Sequence, residues 1–597
     1  MGQLFQLMVA ELLGRVIAMH LVPTFNKELF QSDKTNLLLG EWCNSYKDRR
    51  FLSKHKIVQN IYHWDDREKL YRDYLYLKRL NERLLNNLQV CLNEYHKTNL
   101  TLRGWRIIIG PWLGFFIQIA FERWENITSA LSHYDIDSVS FFQISESVFQ
   151  SADMKEFNEL LSTDNWNQYF YQEILSHRGI GRNIEISQPL YRDAGPKKER
   201  FGIVKKYLSK ISFYRSLNSD FFFIAGPKFL NQIKLDLYLN QKISPYKKFG
   251  QAPKLKFNEN LRKNLTQNFE FEPTNEFEVF LKKSILKNLP SAYLEGFSSI
   301  NKKLFLYKLP KKPKLIFTKN SYLFDDFFKI WCATKVDNGS LFVIGQHGGH
   351  YGSGKWSFTE EHEIEVCDYF FSWGWNSDNK KILRMPSDKL SSLEKITRQP
   401  KDILQVIGCM PRYSYHLYSI PVSSNQVQYF EDQIRFANLL KDEIKIFHKI
   451  RLYPNDYGWD QEQRFIDNIP NIKFDSSRQM TTSLETCKLF IGTYNATTFL
   501  ETLSLNIPTL IFWNPNHWEL NNKAEKYYNC LKEVGIFHHS PDSAADFVNK
   551  NWDRLDSWWN DENTQSSIKY FCEYFAKKTK SPMRVWSDKF KEITKHE

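Results

Sequence analysis

From residue 314 onward, short apolar runs alternate with stretches of helical periodicity. The apolar runs lie at 315–318, 341–345, 369–373, 404–408, 444–448, 472–474, 489–492 and 509–513. Helical patterns lie between most of them, at 321–335, 425–442, 459–469, 481–487 and 496–506. This alternation predicts a parallel sheet covered by helices on both faces. Ligands of such folds bind in the loops after the carboxyl ends of the strands, so we expect the site there.

The residues before 300 predict a second α/β unit. Strand candidates lie at 37–42, 138–143 and 221–226, and a long charged helix is predicted at 65–95. The span 180–275 is polar, basic and irregular, which predicts loops or an insertion.

The chain of 597 residues is too long for a single hydrophobic core. The alternation of apolar runs and helical patterns begins after a linker at 298–313. This change divides the chain into an acceptor-side domain at 1–300 and a ligand-binding domain at 313–550. We expect further helices at 551–597, after the last strand and loop.

The most apolar stretch is 107–121, about 15 residues long and interrupted by Gly110–Pro111. It is shorter than the roughly 20 residues that span a bilayer, so it predicts a buried helix, with membrane contact as the alternative. Residues 1–22 lack the pattern of a signal peptide. Eight scattered cysteines without a CxxC pair indicate reduced thiols in the cytoplasm and no metal site.

The formal net charge of +13 favours an anionic partner. The chain shows neither zinc-finger spacing nor a basic helix with base-reading side chains, so nucleic acid is the weaker interpretation. A phosphorylated donor and a nearby anionic membrane account for the charge equally well.

The loop 345–354 (GQHGGHYGSG) follows a predicted strand, and five of its ten residues are glycine. Glycines let the backbone approach a ligand, and His347 and His350 can donate or exchange protons. Gln346, Gly348 and Gly349 of the same loop are predicted to line the donor site. The acidic run that follows, with Glu361, is either a solvated cluster or a catalytic segment that closes over the loop.

Basic side chains are predicted to bind phosphate at two strand ends. His448 ends the apolar run 444–448 with Arg451 close behind it, and Arg412 follows the run 404–408. Arginine binds phosphate with two parallel hydrogen bonds. The alternative is a set of salt-bridged strand ends.

The segment 489–501 predicts a strand, a polar turn and a helix. Thr493, Asn495 and Thr497 stand where the first N–H groups of the helix are free, which is a ready anion site. Glu501 in the early turns can accept hydrogen bonds from ribose hydroxyls. An ordinary helix cap would explain one of these residues but not all of them.

Asp65 and Asp66 stand before the long helix of the first half. Such a pair is most often a helix cap, and one of the two can alternatively serve as general base for an acceptor hydroxyl. Another side of the cleft is predicted to be lined by Arg103, Trp105 and Arg106.

The motifs LLLGEW, YHWDDREKLYRDY, LRGWRIIIGPWL, QHGGHYG with EEHEIEVCDYFFSWGW, and GTYNATTFLETLSLNIPTLIFWNP resemble a bacterial transferase family of O-antigen and surface-polysaccharide gene clusters. The second half is also distantly similar to capsule Kdo transferases and teichoic-acid glycerophosphotransferases. The order of short motifs in those families is matched here at His347–Gly348, Gly408, Pro411, Arg412, His448, Arg451, 493–498 and Pro508. The His-Pro pair of those families is missing at 448.

This resemblance implies a GT-B-like fold, two Rossmann-like domains facing a cleft, with the nucleotide bound by the second half. It implies a metal-free, cofactor-free glycosyltransferase that moves a sugar from a nucleotide-activated donor, favoured as a CMP-linked ulosonic acid, to a glycan or lipid-linked glycan. The alternatives are an NDP-hexose donor, a CDP-linked polyol-phosphate transferase, and a noncatalytic polysaccharide-binding subunit. We expect the protein in the cytoplasm, with contact at the inner membrane face.

Overall fold

The computed structural model describes residues 18–180, 183–191, 219–225, 243–244, 257–307, 309–414 and 417–595. The expectations for residues 1–17 and for most of the insertion predicted at 180–275 fall outside these ranges. In the described part, every strand pair of the three sheets is parallel.

The amino-terminal sheet has the strand order β3-β2-β1-β4-β5. Its strands are β1 (Met19–Val22), β2 (Thr35–Leu38), β3 (Lys56–Gln59), β4 (Ile136–Gln143) and β5 (Asn183–Pro189). Its helices are α1 (Arg49–Leu52), α2 (Arg67–His96), α3 (Leu102–His133), α4 (Glu146–Phe149), α5 (Met154–Leu160) and α6 (Asp164–His177), with 3-10 turns at Lys27–Leu29 and Glu41–Cys43. The predicted helix 65–95 and the strand 138–143 are confirmed.

The central sheet has the order β11-β10-β9-β8-β6-β7. Its strands are β6 (Phe221–Ile224), β7 (Ile243–Ser244), β8 (Leu315–Thr318), β9 (Leu341–Gly345), β10 (Tyr369–Ser372) and β11 (Ile382–Arg384). Its helices are α7 (Glu259–Gln267), α8 (Glu276–Asn288), α9 (Phe297–Leu304), α10 (Ser321–Phe324), α11 (Asp326–Val336), α12 (Phe358–Val366) and α13 (Asp388–Ser391), with 3-10 turns at Ser291–Tyr293 and Phe305–Tyr307.

The carboxyl-terminal sheet has the order β13-β12-β14-β15-β16. Its strands are β12 (Asp402–Val406), β13 (His448–Arg451), β14 (Cys487–Gly492), β15 (Thr509–Phe512) and β16 (Phe537–His538). The helices are α14 (Asn425–Leu439), α15 (Asp442–Lys445), α16 (Gln461–Asn468), α17 (Met480–Glu485), α18 (Thr497–Ser504), α19 (Asn522–Glu533), α20 (Pro541–Asn551), α21 (Leu555–Trp559), α22 (Glu562–Phe575) and α23 (Pro582–Lys595), with a 3-10 turn at Trp552–Arg554.

The strands after residue 314 belong to two sheets, not to one. Strand β6 pairs with β8, so the boundary predicted between 1–300 and 313–550 runs through the central sheet. The apolar run 444–448 is not a strand, because α15 includes its first two residues and β13 begins only at His448. Likewise, the run 472–474 contributes only an isolated bridge from Phe474 to Ile450.

Helix α3 is the buried core helix that the apolar stretch predicted, although it extends over 32 residues. By length and composition it is apolar enough to cross a membrane, but its whole apolar window is buried inside the protein. It packs against α2, α6, α11 and α12, so it joins the amino-terminal and central sheets in one core.

Hydrogen bonds and ion pairs connect the amino-terminal sheet to the carboxyl-terminal one. The Arg67 guanidinium holds the Glu519 carboxylate through two bonds of 2.7 and 2.9 Å. Buried Arg123 donates to the carbonyl of Ser414 at 2.6 Å. These contacts fix the amino-terminal sheet beside the loops that follow the strands of the carboxyl-terminal sheet.

Candidate functional site

Two strand-end loops meet between the central and the carboxyl-terminal sheet. The loop 346–357 follows β9, and the turn 493–496 follows β14 and leads into α18. A Cβ atom on Gly349 would lie 2.5 Å from the carbonyl carbon and oxygen of Ala496, so only glycine permits this approach. The Asn495 side-chain amide donates to the Ser353 hydroxyl at 3.0 Å. The carboxyl edges of the two sheets therefore face each other at this point.

The amino terminus of α18 lacks a side-chain cap. Ala496 occupies the cap position, and no side chain caps the helix. By contrast, Asp66 caps α2 and Ser357 caps α12. The first N–H groups of a helix attract negative charge through their free donors and the helix dipole. Thr497, partly exposed at the first position of α18, adds a hydroxyl there.

A histidine, a tyrosine and a glutamate are connected beside this helix end. The Tyr351 hydroxyl lies 3.2 Å from Nδ1 of His347 and donates to Oε1 of Glu363 at 2.6 Å. The Tyr322 hydroxyl donates to the same Glu363 oxygen. Glu363 is fully buried, and its Oε2 has no hydrogen-bond partner among the described residues.

Burial sets the protonation of this group. Burial raises the pKa of Glu363 well above its ordinary value, against the lowering effect of its two tyrosine hydrogen bonds. Burial, with smaller contributions from His350 and Lys319, lowers the pKa of His347 to about 4. The His347 side chain nevertheless keeps 30% of its surface exposed. His347 is thus a neutral imidazole near pH 7, accessible from the cleft and backed by a carboxyl group, which suits a general base.

His350 packs inside the loop. Its ring lies against the rings of Tyr351 and Tyr418, with centroid distances of 4.7 and 5.3 Å. Burial lowers the pKa of His350 to about 4, and its buried Nε2 has no partner within the described part of the chain. This histidine therefore shapes the loop and lies behind His347.

The acidic helix α12 presents two faces. Glu361, the predicted catalytic residue, pairs with Lys78 at 2.7 Å and lines a cavity of about 180 Å³ with residues of α2 and α3. The carboxyl group that reaches His347 belongs instead to Glu363, with 3.9 Å between Oε1 and Nδ1. Helical periodicity could have found it, because Glu363 shares the buried face of α12 with Thr359, His362 and Val366.

Gln346 and Gly348 shape the loop from within. The Gln346 carbonyl oxygen accepts from the Trp373 backbone and the Trp375 indole, both at 2.8 Å, and its amide donates to the Gly348 carbonyl at 2.7 Å. Gln346 is fully engaged in these contacts. A Cβ atom on Gly348 would meet only ordinary contacts, the nearest at 3.5 Å.

The turn before α18 is also held by internal hydrogen bonds. The Thr493 hydroxyl donates to the Val406 carbonyl at 2.6 Å and lies 2.6 Å from the Tyr429 hydroxyl. The Tyr528 hydroxyl donates to the side-chain oxygen Oδ1 of Asn495 at 3.0 Å. Thr493 and Asn495 therefore position the turn, whereas Thr497 is the partly exposed member of the predicted set.

Glu501, in the second turn of α18, forms an ion pair of 2.6 Å with Lys389 of α13. Lys389 is 43% exposed, and the sequence reasoning had not singled it out. The pair places one anion and one cation at the edge of the same cleft. Polar groups of a ligand can bind to either side chain.

The three predicted phosphate-binding cations have protein partners. Arg412 donates to the Trp42 carbonyl at 2.9 Å and pairs with Asp164 at 2.8 Å, so it connects the amino-terminal and carboxyl-terminal sheets. Arg451 stands at the carboxyl end of β13 and pairs with Asp475. These arginines correspond to the salt-bridged alternative of the sequence analysis.

His448 was wrongly placed at a strand's carboxyl end. It is the first residue of β13, and its Nε2 lies 2.8 Å from the side-chain oxygen of Gln405. Burial lowers the pKa of His448 to about 4. The sequence predicts a strand that ends at His448, whereas β13 begins there. His448 therefore lies at the amino-terminal edge of the sheet, opposite the cleft.

Asp65 and Asp66 lie beside the carboxyl-terminal sheet. Asp66 caps α2 by accepting from the Lys69 backbone at 3.0 Å, as expected for one of the pair. Asp65 accepts from the Asn425 amide at 2.7 Å. Although its side chain is exposed, surrounding protein atoms desolvate it and raise its pKa to about 6. No hydrogen bond or ion pair between described residues joins either aspartate directly to the His347 loop.

Within the described ranges, no group of three or more His, Cys, Asp or Glu side chains is arranged to hold a metal ion. The cleft instead offers helix N–H groups, one hydroxyl, an imidazole and a glutamate–lysine pair. Such groups bind a phosphorylated ligand and exchange a proton with it.

Two Rossmann-like sheets whose carboxyl edges face a shared cleft define the GT-B-like class of α/β proteins. The chain belongs to the LIC12162 family of transferases, because a model of that family matches residues 19–590. A search among curated proteins found no match.

Three solved structures illustrate the likeness in fold. Staphylococcus aureus MnaA with UDP has 10% identity and a TM-score of 0.35, over 63% of this chain and 96% of that chain. Acinetobacter baumannii MurG has 12% identity and a TM-score of 0.30, over 62% and 99%. The wall teichoic acid polymerase TagF has 11% identity and a TM-score of 0.29, over 64% and 90%. Because these scores are low, the fold assignment rests on the sheet topology.

Proposed function

We propose that this transferase is a glycosyltransferase that moves a sugar from a nucleotide-activated donor to a glycan or lipid-linked glycan of a bacterial surface polysaccharide. One observation carries the proposal: the loop with His347 packs directly on the uncapped amino terminus of α18. An anion-binding group and a proton-exchanging group thereby share one cleft. Glycosyl transfer from a nucleotide requires both.

In the donor complex, the phosphate groups bind to the N–H groups of the first turn of α18 and to the Thr497 hydroxyl. Glu501 accepts hydrogen bonds from the ribose hydroxyls, and Lys389 turns from Glu501 toward the ligand. This arrangement uses the partly exposed Thr497 and the ion pair of Glu501 with Lys389, in which Lys389 is the exposed partner. The backbone donors are already oriented, so they stabilise the departing phosphate without reorganisation.

In the transfer step, the acceptor hydroxyl oxygen bonds to the anomeric carbon while the bond from that carbon to the nucleotide phosphate breaks. The hydroxyl proton moves to His347, which is neutral before the reaction. Tyr351 orients the imidazole, and Glu363 holds the Tyr351 hydroxyl in place by accepting its 2.6 Å hydrogen bond. The negative charge of the leaving phosphate is held at the α18 terminus.

Lys319 supports an acidic donor sugar. Its ammonium pairs with Asp388 at 2.9 Å and lies close enough to contribute to the lowered pKa of His347. A cation near the reacting centre suits the carboxylate of a CMP-linked ulosonic acid, which is the first donor to test. An NDP-hexose and a CDP-linked polyol phosphate are the alternatives. Since nucleotide donors are cytosolic, we place the protein in the cytoplasm.

Thermal-shift binding of CMP, CDP, UDP, GDP and dTDP tests the donor site. A nucleotide that binds only the folded protein raises Tm in proportion to the logarithm of its concentration over Kd. We expect stabilisation by CMP, weakened in Glu501→Ala and Thr497→Val and retained in Glu533→Ala, an exposed residue of α19. If no nucleotide stabilises the wild type, the proposal fails and a noncatalytic binding subunit replaces it.

Product analysis then separates the two transfer chemistries. A glycoside contains no phosphorus from the donor, whereas a polyol-phosphate product is a phosphodiester that retains it. If phosphorus from a labelled CDP-polyol donor appears in the acceptor, the protein is a polyol-phosphate transferase with the same fold, and the proposed glycosyl transfer is wrong.

A further inference from the structure

The turn that connects α9 to β8 carries two adjacent apolar side chains on the outside of the protein. Phe305 is 84% exposed and Leu306 is 74% exposed, the two highest values among the large apolar side chains of the described residues. Scattered single apolar side chains are normal on protein surfaces, but two adjacent ones at such exposure are not explained by packing.

The turn is firmly held on both sides. Phe297 and Ile300 of α9 are buried, and so is Leu309 after the turn. The ring of Tyr307 packs edge-on against that of Phe327, with centroids 5.7 Å apart. The exposed pair therefore projects from an anchored element.

Lysines flank this apolar pair in the sequence, without acidic residues among them. The stretch 296–324 contains seven lysines and neither aspartate nor glutamate. Lys302, Lys303, Lys311 and Lys312 are exposed, and none of them forms an ion pair with a residue that the structure describes. Together with Phe305 and Leu306, these four lysines are named the Phe305 surface.

The charge of the chain is concentrated close to this element in sequence. Residues 192–256 contain 15 Lys and Arg against 4 Asp and Glu, a net charge of +11 out of +13 for the whole chain. Asp220, inside that stretch, lies 3.7 Å from the ammonium of Lys314, which begins the approach to β8. Such an asymmetry attracts an extended anionic surface over long range.

We propose that the Phe305 surface binds an anionic lipid bilayer. Phe305 and Leu306 insert at the boundary between headgroups and acyl chains, and the four lysines contact the lipid phosphates. Apolar insertion and electrostatic attraction together give reversible binding to a membrane surface. A nucleic acid would contact the lysines but would not bury an exposed leucine.

The test is sedimentation of the full chain with vesicles. Vesicles of phosphatidylcholine and phosphatidylglycerol in equal parts are compared with vesicles of phosphatidylcholine alone. We expect binding to the anionic vesicles at low salt, a steep loss of binding at high salt, and little binding to the neutral vesicles. Wild type that stays in the supernatant with anionic vesicles would refute the proposal.

Two double variants separate the contributions. Phe305→Ser with Leu306→Ser should weaken binding about tenfold or more. Lys302→Glu with Lys303→Glu should weaken it about thirtyfold or more. The matched controls are Ile446→Ser, which is 59% exposed elsewhere, and Lys395→Glu with Lys401→Glu, both of which should bind as wild type.

An unchanged Tm in each variant shows that the fold is intact. If Phe305→Ser with Leu306→Ser binds like wild type, the apolar pair has no role and the proposal is wrong. Binding of a short oligonucleotide that is lost in Lys302→Glu with Lys303→Glu, without vesicle binding, would assign the surface to nucleic acid. Nucleotide binding should persist in every variant, so this proposal fails or stands independently of the proposed glycosyl transfer.

Discussion

The hydroxyl of Tyr351 donates a 2.6 Å hydrogen bond to the carboxyl group of Glu363, and both side chains are buried. Tyr351 also touches His347, so the three side chains form a continuous connection from the protein interior to the cleft. The carboxyl group cannot meet substrate from its buried position. Glu363 is therefore a positioning residue that acts through His347.

Glu363→Leu should lower kcat by about tenfold or more while nucleotide affinity stays unchanged. Leucine is of similar size but cannot accept the hydrogen bonds of Tyr322 and Tyr351, so Tyr351 no longer fixes the His347 ring. Steady-state kinetics and nucleotide titration measure the two effects. The matched control is Glu361→Leu, on the opposite face of the same helix, which should retain activity; equal losses in both variants would contradict the assignment.

Gly349→Ala should push the two strand-end loops apart, because the new methyl group would lie 2.5 Å from the Ala496 carbonyl. Overpacking of this kind costs about 1–3 kcal/mol, and it displaces the amino terminus of α18. We expect a lower Tm and nucleotide binding at least about tenfold weaker. Gly348→Ala, which meets no contact below 3.5 Å, should behave as wild type; a reversed order of the two variants would overturn the packing argument.

The pH dependence of kcat/KM distinguishes two candidate bases. A base must be deprotonated, so activity falls as pH drops through its pKa. The pKa of His347 is about 4 and that of Asp65 about 6. We expect activity to hold through pH 6 in both wild type and Asp65→Asn. An acid limb centred near pH 6 that vanishes in Asp65→Asn would make Asp65 the base instead.

His448 should make the protein less stable in acid. Its pKa of about 4 lies below the ordinary 6.5, so the unfolded chain takes up a proton that the folded protein excludes. Its contribution is complete above pH 6.5 and is lost as pH falls toward 4. By pH 5 the stability lost amounts to about 2 kcal/mol.

Urea unfolding at pH 7 and pH 5 measures this effect. His448→Gln should reduce the loss of stability between the two pH values by about that amount, whatever its absolute stability. His133→Gln, at an exposed position of α3, should leave the loss as in wild type. A pH dependence that is the same in all three proteins would show that His448 does not carry the effect.

The sequence predicts local elements of this protein better than their assembly. The helix at 65–95 and the buried helix around 107–121 follow from periodicity and composition, and the structure contains both as α2 and α3. Strand pairing is different: Phe221–Ile224 pairs with Leu315–Thr318 across about 90 residues, and nothing local encodes that partner. One domain boundary was consequently placed inside a sheet.

The candidate site shows the same division. The two loops with His347 and Asn495 were recognised from their glycines, histidines and helix-start pattern, and the structure brings them together. The roles of single residues depended on details that residue type does not carry. Arg412 and Arg451 are engaged by acidic partners from distant segments, and a shift of strand register placed His448 at the wrong edge.

The last helix has a consequence for how the chain is made. Trp586 and Phe590 of α23 close the apolar cluster on the central sheet together with Phe317 and Phe371. Because β6 begins at residue 221, this core stays open on one side during the synthesis of more than half the protein. The amino-terminal sheet can form while translation continues, whereas the central sheet must wait for α23. Until then its exposed phenylalanines are a surface that a ribosome-associated chaperone would meet.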